Sequence, residues 1–93
     1  MKLKFEWDKK KDKLNQQKHG VSFEEAKTVF DDELFISVVD DEHSEVEERH
    51  ITIGISFLAR LLMVAHTDRA NRVRIISARK ATKNEETFYT QTN

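Results

Sequence analysis

Between Arg49 and Lys80 the chain holds three strand-like runs in succession, and this stretch most restricts the fold. From Arg49 to Phe57, Ile51, Ile53, Ile55 and Phe57 alternate with His50, Thr52, Gly54 and Ser56, the pattern of a strand with one buried face. Arg60 to Thr67 is apolar on both faces, as in a central strand, with His66 at its end. Asp68 to Asn71 reads as a turn. Arg72 to Lys80 alternates again, placing Val73, Ile75, Ser77 and Arg79 on one face and Arg74, Ile76 and Ala78 on the other. Strands joined by such short turns pair antiparallel.

Around this core the rest of the chain can be ordered. Lys4–Trp7 alternates like a short strand. Asp8 offers an N-cap to a polar helix over residues 9–18 that stops at Gly20, and its one apolar residue, Leu14, predicts an exposed helix. Ser22-Phe23-Glu24-Glu25 has the spacing of a capping box, with the Ser22 hydroxyl accepting from the Glu25 amide and the Glu25 carboxylate returning to the Ser22 amide. Phe23, Ala26, Val29 and Phe30 then fall on one helical face. Leu34 to Val39 reads as a strand, residues 40–48 as an acidic connection, and Thr82-Lys83-Asn84-Glu85 as a second capping box opening a short C-terminal helix. The predicted order is β-α-α-β-β-β-β-α. That is an α+β domain spanning 1–93, with a mostly antiparallel sheet of four to five strands, two helices in the N-terminal half and one short C-terminal helix. Helices packed on one sheet face would leave the other partly open, and function would be sought there.

Composition narrows the chemistry. The chain has no Cys, no Pro and two Gly, which excludes disulfides, thiolate sites and Gly-rich phosphate loops. No apolar run is long enough for a membrane helix, and the charged start does not resemble a signal peptide, so a cytoplasmic domain with no membrane role is expected. The four His lack paired ligand spacing, so no metal and no cofactor is expected. Charge is segregated: residues 1–20 carry seven Lys against three acids, residues 21–48 one Lys against eleven acids, and residues 49–93 eight Lys or Arg against three acids. The basic C-terminal half collects Arg49, His50, Arg60, His66, Arg69, Arg72, Arg74, Arg79, Lys80 and Tyr89. Such groups suit metal-free RNA cleavage, in which a base takes the 2′-hydroxyl proton, an acid protonates the departing 5′-oxygen and cations stabilise the phosphorane.

Several local patterns also coincide in order: Phe5-Glu6-Trp7-Asp8, Lys18-His19-Gly20-Val21-Ser22-Phe23-Glu24-Glu25-Ala26, Val29-Phe30-Asp31-Asp32 and Glu47-Glu48-Arg49 before Ile51-Thr52-Ile53-Gly54. They continue with His66-Thr67 and with Arg74-Ile75-Ile76-Ser77-Ala78-Arg79-Lys80-Ala81-Thr82, followed by Glu85 and Tyr89. Together they resemble the BrnT family of type II toxins. The resemblance implies a RelE-like ribonuclease fold and growth arrest by RNA cleavage, on free or ribosome-associated RNA. It also implies a BrnA-type antitoxin in a 2:2 heterotetramer, with DNA bound only through the antitoxin. With four residues after Tyr89, any C-terminal extension of longer relatives is expected to be absent.

The positions that match the family pattern and suit RNA are His19, Arg49, His66, Arg74, Arg79, Lys80 and Tyr89. His66 is the expected proton-transfer group, with Arg79 and Arg49 as phosphate stabilisers. Structural roles compete at five of these positions: His66 as the cap of the central strand's end, Arg49 as a partner of the acidic loop, Arg74 as a plain surface residue, Tyr89 as a core-edge aromatic and His19 as a helix cap, since its imidazolium would sit at a helix C-terminus. Two other functions compete: a non-catalytic module acting only within an antitoxin-containing repressor complex, and a simple RNA-binding domain. The basic segments lack the aromatic ladder that single-strand binders use, which disfavours the latter. The acidic 21–48 stretch suits docking by a basic antitoxin segment.

Overall fold

The computed structural model describes residues 3–43 and 47–93. Residues 44–46 of the predicted acidic connection lie outside the described residues. Five strands form one sheet in the order β1-β5-β4-β3-β2: β1 (Lys4–Glu6), β2 (Ile36–Val39), β3 (Arg49–Ile55), β4 (Leu61–Arg69) and β5 (Arg72–Lys80). Among the described residues only the β1–β5 pair is parallel. Helices α1 (Lys9–His19) and α2 (Phe23–Lys27) lie between β1 and β2, and α3 (Lys83–Thr92) closes the chain. The predicted class and element order hold.

The helices start where their caps dictate. The Asp8 carboxylate accepts from the Lys10 and Lys11 amides, and Gly20 ends α1 at φ +68°, a left-handed position suited to glycine. Thr82 and Glu85 form the predicted capping box of α3. The earlier box forms by half. Ser22 Oγ accepts from the Glu25 amide at 3.0 Å, but the Glu25 carboxylate turns inward to Arg60, because a charge-assisted pair outweighs one backbone amide. The predicted α2 also tightens into a 3-10 turn over Thr28–Asp31, with Thr28 Oγ1 donating to the Glu25 carbonyl at 2.6 Å.

Three predicted details of the sheet are corrected. The β3 face expected to be open is the more deeply covered one, because the segment from Val21 to Val29 packs there: Thr52 is 0% and Ser56 4% exposed, whereas Ile55 is 43% and Phe57 69% exposed. Asp68 and Arg69 belong to β4, and the turn contracts to Ala70 and Asn71, with Ala70 at φ +54° and Arg69 directly opposite Arg72. In β5, Ala65 faces Ser77 while His66 faces Ile75, so Ile76 is the extra residue of a β-bulge. One added residue inverts the parity of everything after it. Val73, Ile75 and Ala78 therefore share one core, and Ser77 and Arg79 turn to the other face.

That core lies between the sheet and the segment from Val21 to Val29, joined by Leu62 and Val64. Gly54 permits the close approach: a Cβ there would stand 2.9 Å from Val29 Cγ1. A second, smaller cluster of Ile53, Met63, Ala65 and Tyr89 places α3 against the opposite face. That face is accordingly open at the end away from α3.

Asn15, the one buried residue of α1, joins the helix to the sheet. Its amide donates to the Ala78 carbonyl at 2.8 Å and accepts from the Ala78 amide at 3.1 Å, standing in for a strand beyond the end of β1. It also donates to the Val21 carbonyl at 2.8 Å.

Candidate functional site

The open end of the sheet gathers cations by cross-strand register. Arg49 on β3 lies opposite Thr67 on β4, Thr67 opposite Arg74 on β5, and Arg74 beside Glu6 on β1. At strand spacings of about 4.8 Å, the Arg49 and Arg74 backbones stand roughly 10 Å apart across Thr67. The next row outward runs Arg69, Arg72, Lys4. Arg69, Arg72, Arg74, Glu6 and Thr67 line a shallow depression between the two rows.

Carboxylates already occupy this cationic surface. Glu6 bridges Arg72 and Arg74 at 3.0 Å each, and those two bonds hold its carboxyl below the usual range. Arg69 pairs with Glu47, and Arg49 Nε lies 3.8 Å from an Asp40 oxygen. The pairs on Glu6 and Glu47 are exposed, where such contacts add little stability and exchange readily with other anions.

His66 stands on the other side of the sheet, beneath the helices rather than on the open face. It is 1% exposed, and both ring nitrogens are engaged. Nε2 lies 2.6 Å from Thr52 Oγ1, which lies 2.5 Å from Ser37 Oγ, while Nδ1 lies 2.6 Å from an Asp68 oxygen. Phe30 meets the ring edge-on at 5.1 Å and His50 stacks on it at 5.7 Å. Proton transfer from His66 to a bound molecule requires the Thr52 or Asp68 bond to open. Burial pushes its pKa below the ordinary value, against the opposing pull of Asp68.

With the folded-state pKa depressed, the unfolded chain binds more protons just below pH 6.5, so His66 stability is present above that value and lost as the pH falls through the folded pKa. We expect the thermal midpoint to drop between pH 7 and 5, with a smaller drop in His66→Gln. Melting curves across that range check this, and equal slopes in both proteins would refute it.

The remaining sequence candidates do not join the arginine rows. Arg79 lies opposite Met63, four residues along β4 from Thr67, or about 13 Å at strand rise. Both carboxylate oxygens of Glu85 accept from Arg79, at 2.8 and 3.0 Å, and raise its pKa. Tyr89 is buried under α3 and its hydroxyl donates to Asp32 at 2.6 Å, and burial and that carboxylate push its pKa up to about 12. Lys80 ends β5 exposed, and His19 ends α1 beside Ile76 and Ser77. Arg49 and Arg74 are thus the two candidates brought to one site. Thr67, Arg69, Arg72 and Glu6 complete it. Alternation in residues 4–6 and 72–74 held that information, but only the parallel β1–β5 pairing places the two segments side by side.

The chain matches, over residues 7–85, the model of the family described as the ribonuclease toxin BrnT of type II toxin–antitoxin systems. Among solved structures it is similar to the crystal structure of the Brucella abortus ribonuclease toxin BrnT. That similarity has a TM-score of 0.62 at 21% identity and covers 87% of this chain and 99% of that one. The likeness shows a shared fold. No curated protein matches.

Proposed function

Because this chain belongs to the BrnT family of type II toxin–antitoxin ribonuclease toxins, we propose that it is a metal-independent endoribonuclease whose substrate lies across the open end of the sheet. The observation that carries this reading is the register-built row Arg49–Thr67–Arg74, with Arg69, Arg72 and Lys4 beside it.

RNA brings its own nucleophile. The 2′-hydroxyl loses its proton to solvent water, its oxygen attacks phosphorus, the phosphorus–O5′ bond breaks and O5′ takes a proton from water, leaving a 2′,3′-cyclic phosphate and a 5′-hydroxyl. Guanidinium groups at Arg49 and Arg74 stabilise the charge that builds on the non-bridging oxygens, and they favour the transition state because that charge is greatest there. Arg69, Arg72 and Lys4 hold the flanking phosphates. His66 acts in this reading as a positioning residue, tying β2, β3 and β4 together through Ser37, Thr52 and Asp68. Arg79 supports α3 through Glu85, and Tyr89 anchors it through Asp32. Lys80 and His19 add to the basic surface beyond the arginine rows.

In the cell this reading places the chain in the cytoplasm, where RNA cleavage arrests growth until a BrnA-type antitoxin binds, in a 2:2 complex that contacts DNA through the antitoxin. Incubating the purified chain with RNA in the presence and absence of a chelator tests the activity. Cleavage to 2′,3′-cyclic ends that survives chelation is expected, and intact RNA, or cleavage that chelation stops, would overturn it. One observation favours the second reading, a non-catalytic module within a repressor complex: Arg72, Arg74, Arg69 and Arg79 each already contact a carboxylate.

Glu6 separates the two readings. Its carboxylate sits between Arg72 and Arg74, where a phosphate would. In the ribonuclease reading, Glu6→Gln lowers KM for RNA several-fold and steepens the salt dependence of binding, by removing a competing anion. Titration of a short uncleavable deoxy-substituted RNA checks this, and unchanged affinity would remove these arginines from the substrate path.

A further inference from the structure

We propose that the outer edge of β2 is a docking site for an extended basic segment of a protein partner, adding a sixth strand to the sheet. The partner is the antitoxin of the reading above, on which this inference rests.

Among the described residues β2 has a neighbour on one side only, β3. The Asp40 amide donates to the Arg49 carbonyl at 2.7 Å, which sets the phase of the ladder. Ile36 and Val38 therefore exchange backbone bonds with β3, while the N–H and C=O groups of Ser37 and Val39 point outward. The same stretch exposes apolar side chains: Val38 is 39% and Val39 43% exposed. An apolar edge with outward donors and acceptors is a template for another strand.

Charge selects the occupant. Asp31 and Glu33 precede the strand and Asp40, Asp41 and Glu42 follow it. A second copy pairing edge to edge would set acid against acid at both ends, which is unfavourable. An extended segment with alternating apolar residues between Lys or Arg at each end meets the apolar middle and both acidic ends.

The test titrates the purified antitoxin into the full chain and two variants. Val39→Pro removes an outward N–H while sparing the bonds to β3, and prolines are tolerated at such edge positions. The triple variant Glu33→Lys, Asp41→Lys and Glu42→Lys neutralises the charge before the strand and reverses it after, without touching the strand. Each is expected to weaken binding by about tenfold or more, or 1.4 kcal/mol, while RNA cleavage persists. Leu14→Ala, on α1 at the far side of the sheet, should bind as the unaltered chain does. Undiminished affinity in both variants would overturn the edge while leaving the ribonuclease reading intact. A free chain that dimerises, with Val39→Pro restoring the monomer, would assign the edge to a second copy instead. An antitoxin that fails to bind the unaltered chain would overturn the partner reading as well.

Discussion

Arg60→Ala is expected to be strongly destabilising, costing about 3 kcal/mol, because it strands a buried carboxylate. Glu25 is 3% exposed and takes its partners from distant segments: Ser56 Oγ donates to it at 2.7 Å, Arg60 Nε at 2.9 Å, and Arg60 Nη2 bonds its other oxygen. Arg60 Nη2 also donates to the Gly20 carbonyl at 3.1 Å, so one guanidinium ties the end of α1, the start of α2 and the β3–β4 hairpin. For a chain of this length the loss corresponds to a fall of roughly 12 °C or more in Tm.

The pH dependence identifies the cause. Arg60 holds the Glu25 carboxyl below its usual range against the effect of burial. Its contribution is therefore present above the ordinary carboxylate pKa and lost as the pH falls through the folded value. Without Arg60, burial raises that carboxyl instead, and the variant recovers stability on protonation. The stability gap between the two proteins should narrow on acidification, and Glu25→Gln on top of Arg60→Ala should restore part of the loss. A gap independent of pH in denaturant titrations would show that Arg60 acts through packing alone.

The largest effect on activity is expected from Arg49→Ala combined with Arg74→Ala. Removing one preorganised charge stabiliser of a transition state commonly costs about 10²–10³-fold in turnover, and two that act on the same phosphate exceed one. Arg74 is half-exposed and its ion pair with Glu6 lies at the surface, so its loss should barely move Tm. Single-turnover cleavage and melting curves on the same preparations separate the effects. A double variant that keeps its fold and its rate would displace the site from this face. Arg79→Ala makes a useful contrast, since its loss frees Glu85 at the start of α3 and should lower Tm before it lowers the rate.

Much of this architecture was legible because local physics wrote it. Asp8, Ser22 and Thr82 cap helices through atoms two or three residues away, and Ile51, Ile53 and Ile55 alternate within one strand. What could not be read depends on distant partners. The carboxylate of Glu25 answers to Arg60, 35 residues on, and Asn15 to Ala78, 63 residues on. The bulge at Ile76 leaves no mark in composition, yet it decides on which face Arg79 emerges. Alternation also could not distinguish the two sides of the central strand, which is apolar on both, so nothing in the pattern tells that the His66 ring lies beneath Phe30. Arg74 stands out in the sequence by its type and its match to a family pattern, but its company of Thr67 and Glu6 follows from tertiary pairing alone.

The Asn15 amide has a dynamic consequence. Helix α1 buries no apolar side chain, and Leu14 is 62% exposed, so polar bonds rather than hydrophobic area hold it to the sheet. An element fastened in this way opens at a free-energy cost far below that of global unfolding. When α1 lifts, Ala78 loses its surrogate partner and the second half of β5 becomes a bare margin. Hydrogen exchange should therefore reveal α1 as an early-opening unit. Under stress, intermolecular strand pairing would begin at that margin, long before the core between β4 and α2 is disturbed.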